Sequence, residues 1–351
     1  MWFNSLFGEG CILLGVMMFT ACCVRLSVAP QGRAGAWVFA LAFAGMFLTT
    51  AKAQMMVALP VVMALLLVFA FYHRPLRIGR LIAYTLLCVL CLGVTGYKSL
   101  RIYAENNGVS ERHTVWQSLF FGALMIADDP IADMRELNIP TEMAVDIGKH
   151  AFYPDEDYVI SPNSPEFDEA VYNHINSVTM VGYYLRRPSK LLYMLNNLAK
   201  ESQEVYNGFR VYKGQDYAAQ HDAVDRWGVW LYWRPVFALD SFLQYALAYG
   251  ALAAAGVCGL AGKRISPRGK LLIVTFLGIM LIGALQYPLT GIGNGFADNH
   301  KQLYGFMTCH DMLFSLGLPV LLMRLNKRRI PPVFRIAGRV KRALRGGRER
   351  G

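Results

Sequence analysis

Seven long apolar stretches dominate the chain, and its polar residues collect between them. The stretches run over Gly10–Ala29, Gly35–Ala51, Gln54–Tyr72, Ile78–Tyr97, Val236–Ala261, Leu271–Thr290 and Gln302–Met323. A helix needs about 20 mostly apolar residues to cross the hydrocarbon core of a bilayer, so the pattern predicts about seven transmembrane helices. The first is closely bounded by Glu9 and Arg25, and Arg25 can snorkel from just inside the interface. The segment Lys98–Arg234 is polar, too long for a linker, and patterned. Within it, Arg112–Met125 reads as a helix with an aromatic face of Trp116, Phe120 and Phe121. Asp128-Asp129-Pro130 is a helix start, and Asn138-Ile139-Pro140 ends that short helix. Ser164-Pro165-Glu166 is a second start. A third helix is predicted from Pro188-Ser189 to Val205, with Leu191, Leu192, Leu195 and Leu198 at helical spacing. Trp227, Trp230, Tyr232 and Trp233 precede the fifth stretch, where an interfacial aromatic belt would sit. No clear alternating strands appear. The expected fold is all-α: a polytopic membrane helix bundle with a mainly helical exoplasmic domain inserted between helices four and five. The expected divisions are residues 1–97, 98–235, 236–324 and a basic tail, 325–351.

Composition agrees with a chain that faces lipid. It is 55% hydrophobic and 17% charged, whereas soluble domains carry about 25% charged residues. The net charge of +11 raises the question of nucleic-acid binding, but the charge is sorted by position. The connections Arg25–Arg33, His73–Arg80 and Lys263–Lys270 and the tail from Arg324 hold 20 of the 35 Lys and Arg and a single acidic residue, Glu349. Cytoplasmic loops of membrane proteins carry such an excess. The N-terminus and Lys98–Arg234 are therefore expected outside, the C-terminus in the cytoplasm, and the lipid bilayer rather than nucleic acid as partner. The tail reads either as an interfacial segment drawn to anionic lipid or as simple topology enforcement. No Lys or Arg precedes the first stretch, so no cleavable signal peptide is evident.

All seven cysteines lie in the apolar stretches, which gives no disulfide framework. Cys88 and Cys91 form a C-x-x-C within a span and read as small packing residues. Soluble-enzyme signatures are missing: there is no P-loop, no dinucleotide-binding glycine motif, no nucleophile elbow and no H-E-x-x-H. His113, His150, His174 and His221 lack ligand spacing, and no metal site is assigned. Asp155, Glu156 and Asp157 read as a solvated loop, with a divalent cation as the rival.

Ionisable groups at or within the spans carry more information, because they are costly there and face a cavity or a partner. Lys52 and Gln54 lie in the turn between spans two and three, and Asp240 lies near the outer end of span five. Asp298, His300 and Lys301 precede span seven, and His310 and Asp311 lie inside it. Asp298 and Lys301, at i and i+3, would share a helix face. The run Gly291–Gly295 reads as a glycine-rich turn whose amides, beside a cation, can hold a phosphate. The plainer alternative is a helix entry capped by Asp298, with Lys52 and Lys301 snorkelling. A carboxylate such as Asp311 inside a span needs a partner, expected on another helix.

The stretch Gly293-Asn294-Gly295-Phe296-Ala297-Asp298-Asn299-His300-Lys301-Gln302-Leu303, with Phe306 and Asp311, resembles the last outer loop and final helix of bacterial surface-glycan hexosyltransferases of the S-layer type. These are GT-C-like integral membrane proteins. Asn4-Ser5-Leu6-Phe7-Gly8-Glu9 and Ala51-Lys52-Ala53-Gln54 resemble two outer turns of that family. His113–Gly122, Asp129-Pro130 and Glu136-Leu137-Asn138-Ile139-Pro140 resemble the start of its outer domain. The resemblance covers nearly the whole chain, as the C-terminal half of the family. It implies a bacterial cytoplasmic-membrane protein that uses a polyprenyl-phosphate sugar at the outer face. Lys52, Gln54, His113, Asp298, Lys301 and Asp311 would then form the substrate site. Asn294 departs from the family pattern, where Asp is commoner, and so does Gln302. The family's catalytic acid usually lies in a first outer loop, and no residue here matches it. The chain is then a fragment, one part of a split enzyme completed by a second membrane subunit, or not catalytic alone. Two other classes stand beside this reading. One is a non-catalytic scaffold whose outer domain binds another protein. The other is a transporter, against which no broken-helix pair or inverted repeat shows.

Overall fold

The computed structural model describes residues 9–30, 34–73, 86, 89–90, 93–98, 100–101, 109–152, 157–202 and 239–325. The predicted fourth span lies mostly outside these residues. Cys88, Cys91, Asp155, Glu156, His221, the Trp227–Trp233 belt and the basic tail lie outside them too. Every described element is helical. The longer helices are α1 (Glu9–Val28), α2 (Gly35–Thr50), α3 (Leu59–Tyr72), α4 (Val109–Ser118) and α5 (Pro130–Glu136). They continue with α6 (Ser177–Arg186), α7 (Pro188–Glu201), α8 (Phe242–Ala261), α9 (Pro267–Asn294) and α10 (Tyr304–Leu325).

Among the described residues, four helices are long and apolar enough to cross a membrane: Glu9–Val28, Gln54–Tyr72, Phe242–Ala261 and Pro267–Asn294. The 16-residue α2 is a shorter apolar helix, and α10 occupies the predicted seventh stretch. The chain is an all-α membrane helix protein. Hydroxyls within the apolar helices bond back to their own backbone: Thr20 to Val16 O, Ser27 to Cys23 O, Thr49 to Gly45 O and Thr275 to Leu271 O. That is how polar groups are satisfied where water is absent.

The membrane helices meet through small residues, as expected where lipid removes the hydrophobic drive for association. A Cβ at Gly45 would strike Val62 Cγ1, one at Gly278 would lie 2.6 Å from Leu65 Cδ1, and one at Gly15 3.0 Å from Leu48 Cα. The contacts also fix direction. Gly278 meets the middle of α3, while Gln286, two turns on, reaches Gln54 at the start of that span. Helix α9 therefore runs antiparallel to α3, and its C-terminal end lies where α3 starts.

The segment between the spans, the cap, packs around Trp116, Phe120, Phe167, Tyr183, Tyr184, Met194 and Leu198, and this core continues into the membrane helices through Tyr245, Tyr287 and Phe306. The predicted starts are made. Asp129 caps α5 by accepting from Ala132 N–H at 3.0 Å, and Ser164 accepts from Phe167 N–H at 3.4 Å. Asn138, at φ 56, ends α5 in the left-handed region. The predicted Arg112–Met125 helix is α4 followed by a π-helical turn, Leu119–Ala123, and a 3-10 turn, Leu124–Ile126. Helix α6, capped by Asn176, has no counterpart in the sequence reading. In α7 the buried stripe is Met194, Leu195, Leu198 and Ala199, while Leu192 is exposed.

The two parts meet along α7, where Tyr287 donates to Leu195 O at 2.7 Å and Phe242 N–H to Asn196 Oδ1 at 3.0 Å, and at a backbone joint. The π-helical turn presents Phe121 O to Phe296 N–H at 2.9 Å, and Ser118 Oγ donates to Ile292 O. Gly295, at φ 58 and ψ −126, fits there because a Cβ would strike Gln117 O and lie 2.5 Å from Phe121 O and 2.8 Å from Gly122 Cα.

Candidate functional site

The polar groups of the spans gather at the end of the bundle that carries this joint. Lys52 lies between α2 and a 3-10 turn, Ala53–Ala58. Its Nζ donates to Glu9 Oε1 at 3.1 Å, and the Glu9 carboxylate is 1% exposed. A carboxylate buried this deeply is tolerated with a cation against it. Gln54 Nε2 donates to Gln302 O at 2.6 Å, and Gln54 O accepts from Gln286 Nε2 at 3.1 Å. The turn between α2 and α3 is thereby tied to α9 and to the residue that follows Lys301. Lys301 is buried, and its Nζ donates to Asp298 Oδ2 at 3.0 Å. Each of the two lysines is thus clamped by a carboxylate.

Two expectations about this end of the bundle need correction. Gly291–Asn294 is not a glycine-rich turn: α9 continues through Asn294, and the chain turns at Gly295. The reason is packing, since Gly291 sits against Met194 and Leu198, where its missing side chain admits α7. The amides of 291–294 are helical, so the phosphate-cradling turn is withdrawn. Nor does Asp298 cap a helix by its side chain. It sits at φ 47 in the left-handed region, makes no capping bond, and gives its carboxylate to Lys301. Aspartate is one of the few non-glycine residues that adopts this region readily.

His113 is on the cap side, on α4, whose end forms the joint. It is buried, and Nε2 donates to Asn163 Oδ1 at 2.8 Å. Burial pulls its pKa below the ordinary histidine value, partly countered by that hydrogen bond, so the ring is neutral at pH 7. Asp311 belongs to a second compact unit, residues 310–351. There it is half-buried beside His310, whose ring packs on Phe314 with centroids 4.6 Å apart. Asp240 N–H donates to Gln244 Oε1 before α8. No cluster of three or more metal-ligating side chains occurs among the described residues.

The structure thus joins Lys52, Gln54, Asp298 and Lys301, and reaches His113 only through its helix. Sequence reasoning left Glu9 out of the site, using it as a topology marker and as the end of the Asn4–Glu9 motif. Its signal was an acidic residue in the first turn of an apolar helix, on the same side as Lys52. It also missed Gln117, fully buried at the joint, neither of whose amide atoms is hydrogen-bonded among the described residues.

Long apolar helices, small-residue interfaces and polar groups held at one end define a multi-pass all-α membrane protein. Residues 1–330 match the family described as the YfdI N-terminal transmembrane domain, and the chain belongs to that family. The matched domain is described as N-terminal, whereas the motifs had resembled a C-terminal half. No curated protein and no solved structure shows a significant match.

Proposed function

We propose that the chain works in glycan assembly at the outer face of a bacterial cytoplasmic membrane, where its Glu9–Lys52 and Asp298–Lys301 end engages a polyprenyl-phosphate sugar. Membership in a glycosyltransferase-related family supports the reading. The observation that carries it is the pair of carboxylate-clamped lysines at one end of the bundle, tied together by the Gln54–Gln302 hydrogen bond. An ammonium has three N–H donors, so one carboxylate orients it without exhausting its capacity for phosphate oxygens. When the sugar leaves, negative charge grows on the phosphate, and a preformed cation there lowers the barrier. Glu9 and Asp298 are positioning residues for the two ammonium groups. A second membrane subunit that completes the active enzyme belongs to the same proposal.

The orientation rests on charge and topology. Helix α1 starts, α2 ends, α3 starts and α9 ends at the site, so Arg25 and the Lys263–Lys270 connection fall at the opposite ends of their helices. A basic opposite end is the cytoplasmic one. The test is lipid-linked glycan assembly in cells carrying Lys301→Ala or Asp298→Ala. Each is expected to lose transfer by about a hundredfold or more, the scale of removing one charge-stabilising donor. Wild-type transfer at normal abundance would remove the site.

A further inference from the structure

Beside the joint, a loop is held with more care than a connection needs. Gly148 N–H donates to Phe120 O at 3.0 Å, and Lys149 O accepts from Trp116 Nε1 at 2.9 Å. His150 O accepts from the Tyr158 hydroxyl at 2.6 Å. Asp146 is fully buried, accepting from Lys149 Nζ at 2.7 Å and from Val159 N–H at 3.0 Å. Gly148 and Lys149 are thus tied to buried aromatic residues, and His150 to the half-buried Tyr158. Two residues beyond these bonds stands Phe152, 58% exposed.

Around that ring stand two imidazoles. His113 meets it edge-on, with centroids 4.4 Å apart and planes at 78°, and His150 lies at 5.5 Å and 47°. Neither stacks parallel on it. His150 Nδ1 accepts from Phe152 N–H at 3.3 Å, which leaves Nε2 as the N–H of the neutral ring. His150 also packs edge-on against Phe121 at 5.4 Å, the residue that receives the Phe296 amide at the joint. Asn163, bonded to His113, is exposed.

We propose that Phe152, with His150 and the exposed Asn163, which buried His113 holds in place from behind, is a saccharide-binding platform that receives the acceptor glycan. It rests on the glycan-assembly reading above. A sugar ring offers a face of polarised C–H groups and a rim of hydroxyls. The negative face of an exposed aromatic ring takes the first, and imidazole and amide groups, both donors and acceptors, take the second. The bonds at 148–150 and the Phe152 N–H to His150 Nδ1 contact order the backbone that carries the ring, which lowers the ordering cost of binding. The platform is linked to the joint through the His150–Phe121 contact, and Phe121 O accepts from Phe296, two residues before Asp298.

The test uses the full chain in lipid nanodiscs on an array of hexose-containing oligosaccharides from bacterial surface polysaccharides. Wild type retains members of the array, Phe152→Ala weakens them roughly tenfold, and Phe152→Trp keeps them. Phe152 is exposed, so Phe152→Ala leaves the core intact. No retention by wild type, or equal retention by Phe152→Ala, would overturn the platform. So would quenching of the Phe152→Trp fluorescence by brominated lipid chains, which would put the ring in the bilayer. Wild-type transfer by Lys301→Ala strikes the donor reading alone, because the array is read without a donor.

Discussion

The membrane helices and the polar cap solve the same packing problem by opposite means. In the bundle, contacts are made by absence: Gly15, Gly45 and Gly278 let Leu48, Val62 and Leu65 approach the backbone. In the cap they are made by bulk and charge. Trp116 stacks on Phe120 at 4.4 Å, and Arg187 bonds Asp133 at 2.6 Å and Glu136 at 2.5 Å while lying 4.2 Å over the Tyr183 ring. Lipid tails are as apolar as leucine, so helices in a bilayer gain from close fit rather than from burial. The cap contacts water and gains from burying large rings. The proposed site lies where the two regimes meet, at the end of the bundle that holds Glu9, Lys52, Asp298 and Lys301.

The largest expected effect is at the meeting point itself. Gly295→Ala places a methyl group against Gln117 O and Phe121 O and forces a residue into a backbone region suited to glycine. A loss of about 3–5 kcal/mol is expected, read as a drop in thermal midpoint that affects cap and bundle together. Next come substitutions confined to one regime. Trp116→Ala removes a fully buried ring from the cap and should cost about 3–5 kcal/mol. Gly45→Leu overpacks the α2–α3 interface and should cost about 1–3 kcal/mol. If Trp116→Ala loosened hydrogen exchange in α2 and α3 as much as in the cap, the two regimes would be one.

How much of this the sequence carried follows the same division. Apolar runs of membrane-spanning length are statements about a solvent, so they read directly as helices. Local chemistry also read well, as Asp129-Pro130 and Ser164-Pro165 became the caps they spell. What failed depended on partners distant in sequence. Gly291 looked like a turn residue because the approach of Met194 is invisible from its neighbours. Asp298 looked like a cap because its left-handed backbone angle and its bond to Lys301 are not encoded in its type. Glu9 acquires meaning through Lys52, 43 positions away. The cap's helix α6 was overlooked because Val178 and Leu185 stay exposed, which blurs its stripe.

A smaller effect is expected from pH. His113 has a folded pKa below 6.5, the usual value, because burial disfavours its charged form. The unfolded chain then takes up the proton first, so cap stability should be full above 6.5 and fall as pH drops below it. His113→Gln should flatten that slope, measured as thermal midpoint between pH 7.5 and 5. The smallest expected effect is that of Arg187→Ala. Its guanidinium is partly exposed, and its loss should cost the cap about 1 kcal/mol, with no change in the bundle.

The central claim is that the cap and the two clamped lysines face outward. Single cysteines at Glu166, on the cap, and at Arg264, in the connection between α8 and α9, can be placed in a background lacking the native thiols. A maleimide that cannot cross the membrane should label position 166 in intact cells and position 264 only after permeabilisation. Labelling of 264 but not 166 in intact cells would turn the molecule over and remove the sugar-lipid proposal.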